Sequence, residues 1–291
     1  MREGMQPITN ALTVDVEDYF QVSAFAESID RSSWDGYELR VEANTVRVLD
    51  LFEKYGVKAT FFTLGWIAER VPGLVRKIAE RGHEIACHGY GHQLVYDIGP
   101  KAFREDIRRS KAILEDLAGK AVIGYRAPSY TITERSLWAL DILIEEGFRF
   151  DSSIFPIYHD RYGIPNAERF PHTLNREAGS IAEFPLTTRR FSFLGKSLEL
   201  PVAGGGYLRL LPIQLIRRSL QRVNSAERQP VVVYFHPWEI DPTQPRVGNL
   251  SLKSRFRHYV NLHKTHGKLE VLLKTLSFDS MGAVLAGNGL L

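Results

Sequence analysis

One cysteine in 291 residues excludes an internal disulfide framework. Cys87 sits inside the apolar run Ile85-Ala86-Cys87, so it is expected to be a small buried hydrophobe rather than a reactive thiol. No stretch approaches the ~20 consecutive apolar residues that span a bilayer. No apolar leader core occurs in Met1-Arg2-Glu3-Gly4-Met5-Gln6-Pro7, and the chain as it stands is expected in the cytoplasm. Charge of one sign is also missing. Lys and Arg number 37 against 34 Asp and Glu, a formal net charge of +3, which is too small to argue for nucleic acid, and no basic block marks a membrane-surface patch. No internal repeat and no break in composition is visible, so residues 1–291 are expected to form one domain.

What is present is an ordinary globular composition, 44% hydrophobic and 24% charged, and one stretch around which the rest is organised. In Glu84-Ile85-Ala86-Cys87-His88-Gly89-Tyr90-Gly91-His92 a short apolar run reads as a buried strand ending at a histidine, with a second histidine four residues on. If the intervening turn is helical, positions i and i+4 share a face and both imidazoles point at one centre. Such a pair begins a divalent-metal site but does not complete one.

Apolar runs and amphipathic segments alternate along most of the chain. Strands are expected over 11–18, 58–65, 85–87, 122–126, 148–153 and 230–236. Helices are expected over 42–55, 67–81, 100–117, 133–147, 213–223 and 251–266, with a last strand and short helix within 269–285. This alternation predicts an α/β fold with a parallel sheet or barrel. It fades between 154 and 208, where Pro156, Pro165, Pro171, Pro185 and Pro201 punctuate short strand-like runs and Gly204-Gly205-Gly206 makes a flexible turn. That stretch reads as an insertion of loops and small strands.

Five apolar runs end at or just beyond chemically capable residues: Asp15, Glu17 and Asp18, then His88, Arg126, Asp151 and His236. Strand ends in an α/β barrel share one mouth. One such residue alone is more often a satisfied core group or a salt-bridge partner. Five in the same position are harder to explain as packing, because each needs its own compensation for burial. Residues two apart in a strand share a face, which projects Asp15 and Glu17 together and leaves Asp18 to turn in at the end.

This arrangement resembles the polysaccharide deacetylases of carbohydrate esterase family four, which have the NodB-homology fold. The corresponding segments are Thr13-Val14-Asp15-Val16-Glu17-Asp18, His88-Gly89-Tyr90-Gly91-His92, Arg126-Ala127-Pro128, Asp151-Ser152-Ser153 and Phe235-His236-Pro237, in the family's order. The resemblance covers about residues 11–238. It implies a distorted (β/α)7-type barrel with the 154–208 insertion and a C-terminal extension from about 239 to 291. The Asp15-to-Phe20 segment and His236-Pro237-Trp238-Glu239 look most like the subgroup tied to bacterial exopolysaccharide loci of the exosortase/PEP-CTERM type. The family usually carries two adjacent aspartates, whereas here Val16 follows Asp15. The third metal ligand is therefore Glu17, by strand alternation, or Asp18.

The resemblance implies a divalent metal, zinc or else cobalt, nickel or manganese, held by His88, His92 and Glu17 or Asp18. Asp15 is the implied general base, Arg126 its partner, His236 the acid that protonates the departing amine, and Asp151 the group that orients His236. A backbone N–H near Ser129 is expected to bind the oxyanion. Pro128, Ser129, Tyr130, Tyr207 and Trp238 are the candidates for sugar contact. The implied substrate is an N-acetylated polysaccharide or oligosaccharide. Two rivals remain open: a relative that hydrolyses cyclic amides such as allantoin or imides, and a non-catalytic glycan-binding scaffold.

Overall fold

Strand β1 (Thr9–Val16) is buried along all but its first residue and pairs with three other strands of the sheet. The computed structural model describes residues 7–159, 161–193, 196–248 and 250–291; the leader reading concerns residues 1–6, outside that set. Strands β2 (Thr60–Thr63), β3 (Glu84–Cys87), β4 (Gly124–Tyr125) and β5 (Phe150–Asp151) follow β1 in parallel, one after another. Strand β6 (His172–Arg176) runs antiparallel to β7 (Gly179–Glu183), and β7 adds to β5 in parallel. Strands β8 (Thr188–Phe193) and β9 (Lys196–Pro201) form a separate hairpin. On the other side of β1 lie β10 (Val232–Phe235) and, toward its N-terminal end, β11 (Ser277–Asp279).

The wall is closed by a side chain rather than by a strand ladder. Thr187 Oγ1 donates to the Val232 carbonyl at 3.0 Å and accepts from the Val232 N–H at 2.8 Å, joining the chain beyond β7 to β10. This is the α/β barrel-type fold expected, with the ladder interrupted between β7 and β10. The insertion is not separate from it, because β7 takes a place in the main sheet. Among the described residues no helix is long and apolar enough to cross a membrane.

Helix boundaries differ from the periodicity where the backbone chemistry intervenes. The helix expected over 67–81 is two, Gly65–Arg70 and Pro72–Glu80, because Pro72 has no N–H to continue the first and suits the opening turn of the second. The helix expected over 251–266 is also two, Leu252–Tyr259 and Leu262–Thr275, parted at Asn261 with φ 54°. Helix Val41–Tyr55 ends on Gly56 at φ 63°, the left-handed stop its glycine predicts. Gly204, at φ +116°, lies so close to Tyr234 that a Cβ would stand 2.1 Å from its ring. Only glycine lets the chain after β9 cross the barrel mouth there.

Candidate active site

The site forms at the carboxyl ends of β1, β3, β4 and β10. Glu17, His88 and His92 present ligand atoms that all lie within 4.8 Å of one another, and all three are buried. The turn that brings the histidines together is not helical. It is an irregular bend with Gly89 at φ +72° and His92 at φ 50°. The bend is held from outside. Ser110 Oγ and the Gly65 N–H donate to the Gly89 carbonyl, Asp106 Oδ2 accepts from the Tyr90 N–H at 2.8 Å, and Arg31 donates to the carbonyls of Gly91 and His92.

The His88 Nδ1–H donates to the Arg126 carbonyl at 2.8 Å, which leaves Nε2 with its lone pair toward the cluster. Burial pushes the His88 pKa down to about 4, so the ring is neutral, as a ligand must be. Glu17 is fully buried. Burial alone would raise its carboxyl, but His92 and His236 outweigh that and hold it at about 2. Glu17 Oε2 stands 2.9 Å from His92 Nε2, yet the contact lacks hydrogen-bond geometry, and that oxygen has no hydrogen-bond partner among the described residues. A buried carboxylate oxygen and an imidazole nitrogen that face one point without bonding each other suit a shared cation.

Glu17 does not reach the cluster by strand alternation. β1 ends at Val16, and the Glu17 N–H turns back to the Asp15 carbonyl at 3.0 Å. Asp18 is excluded as a ligand. Its Oδ2 accepts from the backbone N–H groups of Arg40 and Val41 at 2.7 and 2.9 Å, and Oδ1 from Tyr19, so it caps the start of the helix Val41–Tyr55. Burial pushes its pKa up to about 6, although those backbone donors oppose the shift.

Beside the cluster Arg126, fully buried, donates to Asp15 Oδ1 at 2.7 Å and to Thr13 Oγ1 at 2.8 Å, with further bonds to the Ser152 carbonyl and hydroxyl. Asp15 Oδ2 is left toward the cavity, where the Tyr130 hydroxyl lies 3.3 Å away. Ser129 and Tyr130 both take positive φ, 53° and 57°. This is uncommon for residues with side chains and is typical of functional loops. The Tyr130 N–H is committed to the Ala127 carbonyl and is therefore not free to bind an oxyanion. Pro128 is buried against Gly89 and does not line the cavity.

Across the mouth, His236 Nε2 lies 3.4 Å from Glu17 and 3.8 Å from Asp15. Burial would depress its pKa, but the carboxylates of Glu17, Glu239 and Asp15 push it up to about 9. The group that orients it is not Asp151. His236 Nδ1 lies 3.2 Å from Glu239 Oε2, and Glu239 Oε1 accepts from Arg209 Nε at 2.6 Å. Asp151 accepts from Ser153 Oγ, whose oxygen receives the Ala127 N–H, and it faces Glu183 across the β5–β7 register. Burial raises the pKa of both acids. Asp151 therefore supports the 127–130 loop from behind. The sequence reading missed Glu239 and Arg209. The signal was Glu239 three residues after a strand-ending histidine, with Pro237 between, the pattern of a short capped helix.

Trp238 is buried rather than open to a sugar. It stacks on His236 and His258, and its Nε1–H points to Glu17 Oε1 at 3.5 Å. Cys87 is buried, and burial pushes its thiol up to about 12, which leaves it inert. Asp15, Glu17, His88, His92, Ser129, Tyr130, His236 and Trp238 all line one cavity of about 210 Å³. Tyr207 lies farther out, in an adjoining cleft of about 610 Å³.

Fold and site define the class first: an α/β barrel-type protein with a candidate metal centre at the mouth and an arginine-clamped carboxylate beside it. Residues 33–143 match the family described as polysaccharide deacetylase, and residues 152–286 match a family described as a domain of unknown function, DUF3473. The two segments share one sheet, since β10 and β11 pair with β1 beside β2. The peptidoglycan deacetylase of Helicobacter pylori is 33% identical over 126 residues, 42% of this chain and 42% of that protein. The chain spans about two fifths of the length of the curated relatives it matches. The fold is similar to that of a probable polysaccharide deacetylase from Pseudomonas aeruginosa PAO1, with TM-score 0.62 and 14% identity, covering 96% of this chain and 90% of that one. It is also similar to that of Puue allantoinase, with TM-score 0.60 and 15% identity over 96% and 88%. At these identities the likeness concerns the fold.

Proposed function

We propose that the chain is a divalent-metal-dependent hydrolase that removes acetyl groups from N-acetylhexosamine units of a bacterial polysaccharide and leaves a free amine. One observation carries the reading: Asp15, its Oδ1 locked by Arg126, turns Oδ2 into the same cavity that Glu17, His88 and His92 face. Imidazole and carboxylate ligands in a set of three suit zinc, with cobalt, nickel and manganese as alternatives. When bound, such an ion acidifies water and polarises a carbonyl.

The remaining steps belong to the chain's own residues. Asp15 Oδ2 accepts the proton of the attacking water. Arg126 and Thr13 keep Asp15 in one orientation. His236, on the opposite wall, delivers a proton from Nε2 to the departing amine, and Glu239 fixes which way its ring faces. The buried Trp238 and Tyr130 exclude bulk water from the inner cavity. The products are acetate and an amino sugar.

The relatives' names point to peptidoglycan. What supports an exopolysaccharide of the exosortase/PEP-CTERM type instead is the Asp15-to-Phe20 segment and His236-Pro237-Trp238-Glu239, neither of which is the usual family form. The test is acetate release from N-acetylglucosamine oligomers by the zinc-loaded protein and by Asp15→Asn. Equal rates in the two proteins would remove the base and the reading with it. The fold likeness to an allantoinase favours a second reading, ring opening of a cyclic amide. Turnover of allantoin without any acetate release would select it.

A further inference from the structure

The inner cavity opens into a wider cleft, about 610 Å³, and the two share Ser23, Ser129, Tyr162, Gly206, Arg209 and Arg257. This outer cleft has a one-sided charge. Among the described residues, four cationic side chains line it, Arg161, Arg209, Lys253 and Arg257, against one carboxylate, Glu27. Arg209 is already committed to Glu239. Among the described residues, Arg161, Lys253 and Arg257 are in no ion pair. Some cations elsewhere on the surface are matched, Arg70 with Asp35, Arg81 with Asp50 and Arg108 with Glu146, so what sets the cleft apart is that its cations share one concave wall. Lys253 and Arg257 are four apart on helix Leu252–Tyr259, so they stand one turn above the other on the face toward the cleft. That helix carries no acidic residue in LKSRFRHY.

Three unmatched cations along one concave wall concentrate positive potential over the route to the reacting centre. Nothing in amide hydrolysis of a neutral sugar calls for them. A carboxylate on a neighbouring sugar unit does, since a guanidinium binds it through two parallel N–H bonds and an ammonium as a point charge. Tyr207 lines the same cleft and offers a ring face to sugar C–H groups, while the Tyr162 ring stacks on His159.

We infer that the outer cleft binds an acidic glycan, one in which the N-acetylhexosamine held at the inner cavity is flanked by a uronic acid. The inference rests on the deacetylase reading for what the inner cavity does, and on the cleft's charge alone for what the outer one binds.

The probes are a tetrasaccharide alternating N-acetylglucosamine with glucuronic acid and the same compound with its carboxyls reduced to alcohols. Equilibrium binding is measured on the intact chain kept metal-free with chelator, at low and high salt, and acetate release is measured separately on the zinc-loaded protein. The acidic compound is expected to bind about tenfold more tightly at low salt, the scale of two or three exposed charge contacts. That preference should shrink at high salt. It should also shrink in the exposed double variant Lys253→Gln, Arg257→Gln, while binding of the reduced compound changes less than about twofold. Equal binding of the two compounds, or a preference that the double variant leaves intact, overturns the inference. An acidic preference without acetate release keeps this inference and removes the deacetylase reading. Acetate release with no preference does the reverse.

Discussion

Glu239 Oε2 lies 3.2 Å from Nδ1 of His236, three residues earlier in the chain, and the other oxygen of Glu239 is held by Arg209 at 2.6 Å. Glu239 and Arg209 are both buried, and Arg209 is fixed in turn by the carbonyls of Arg257 and His258. Burial would raise the Glu239 carboxyl, but Arg209 and His236 hold it at about 2. The ring of His236 thus has one orientation, with Nε2 toward Asp15 and Glu17.

Removing the ring should therefore cost more than loosening it. His236→Ala is expected to lower kcat by ~10²–10⁴, the usual contribution of a placed acid, with bound metal retained. Glu239→Gln should lower kcat less. The double variant should be no slower than His236→Ala alone, because both changes act on one proton transfer. Additive losses in the double variant would show that Glu239 acts elsewhere.

The choice between Glu17 and Asp18 as ligand has a direct readout in metal content. Glu17→Gln and His88→Ala should bind substoichiometric zinc after dialysis. Asp18→Ala should keep a full complement and lose about 1–3 kcal/mol of stability through its three unpaired backbone donors. Elemental analysis alongside thermal unfolding separates these effects.

Asp15 and Arg126 form a buried pair, so removing either partner leaves the other uncompensated. Arg126→Ala is expected to destabilise by about 3–5 kcal/mol. Asp15→Asn keeps the shape and should cost ~10²–10⁴ in kcat with metal content unchanged. Denaturant unfolding and metal analysis on the same preparations test whether the loss of rate is chemical rather than a loss of fold.

Acid should weaken the fold through His83, away from the site. Its Nδ1 accepts the Ala59 N–H at 3.2 Å, which only the neutral ring can do. Burial, with Lys58 and Arg81 nearby, lowers its pKa from 6.5 to about 4. The unfolded chain binds this proton first, so the contribution is fully present above pH 6.5 and is lost as pH falls toward 4, about 3 kcal/mol at most. His83→Gln keeps an acceptor and does not titrate. Unfolding free energies between pH 7 and 4 should fall more steeply for the wild-type chain, and parallel curves would contradict this.

Much of the arrangement was legible from residues alone. Alternating apolar runs and amphipathic segments reflect local periodicity, and local periodicity is written in sequence. So is the placement of Asp15, His88, Arg126 and His236 at the ends of apolar runs, because a strand buried on both faces leaves its exit as the place where polar groups meet solvent. Pro72 and Asn261, which split two expected helices, were visible but outweighed by the apolar spacing around them.

Contacts between distant segments were decided only by the folded chain. Which carboxylate joins the histidines depended on the backbone of Arg40 and Val41 claiming Asp18. The convergence of His88 and His92 needed Asp106, Ser110 and Arg31 to hold an irregular bend that no helical spacing describes. Glu239 became the partner of His236 because Arg209, 30 residues before Glu239 in sequence, compensates its charge in the interior. A buried charge is settled by whichever opposite charge packing brings beside it, and packing between remote elements has no local signature.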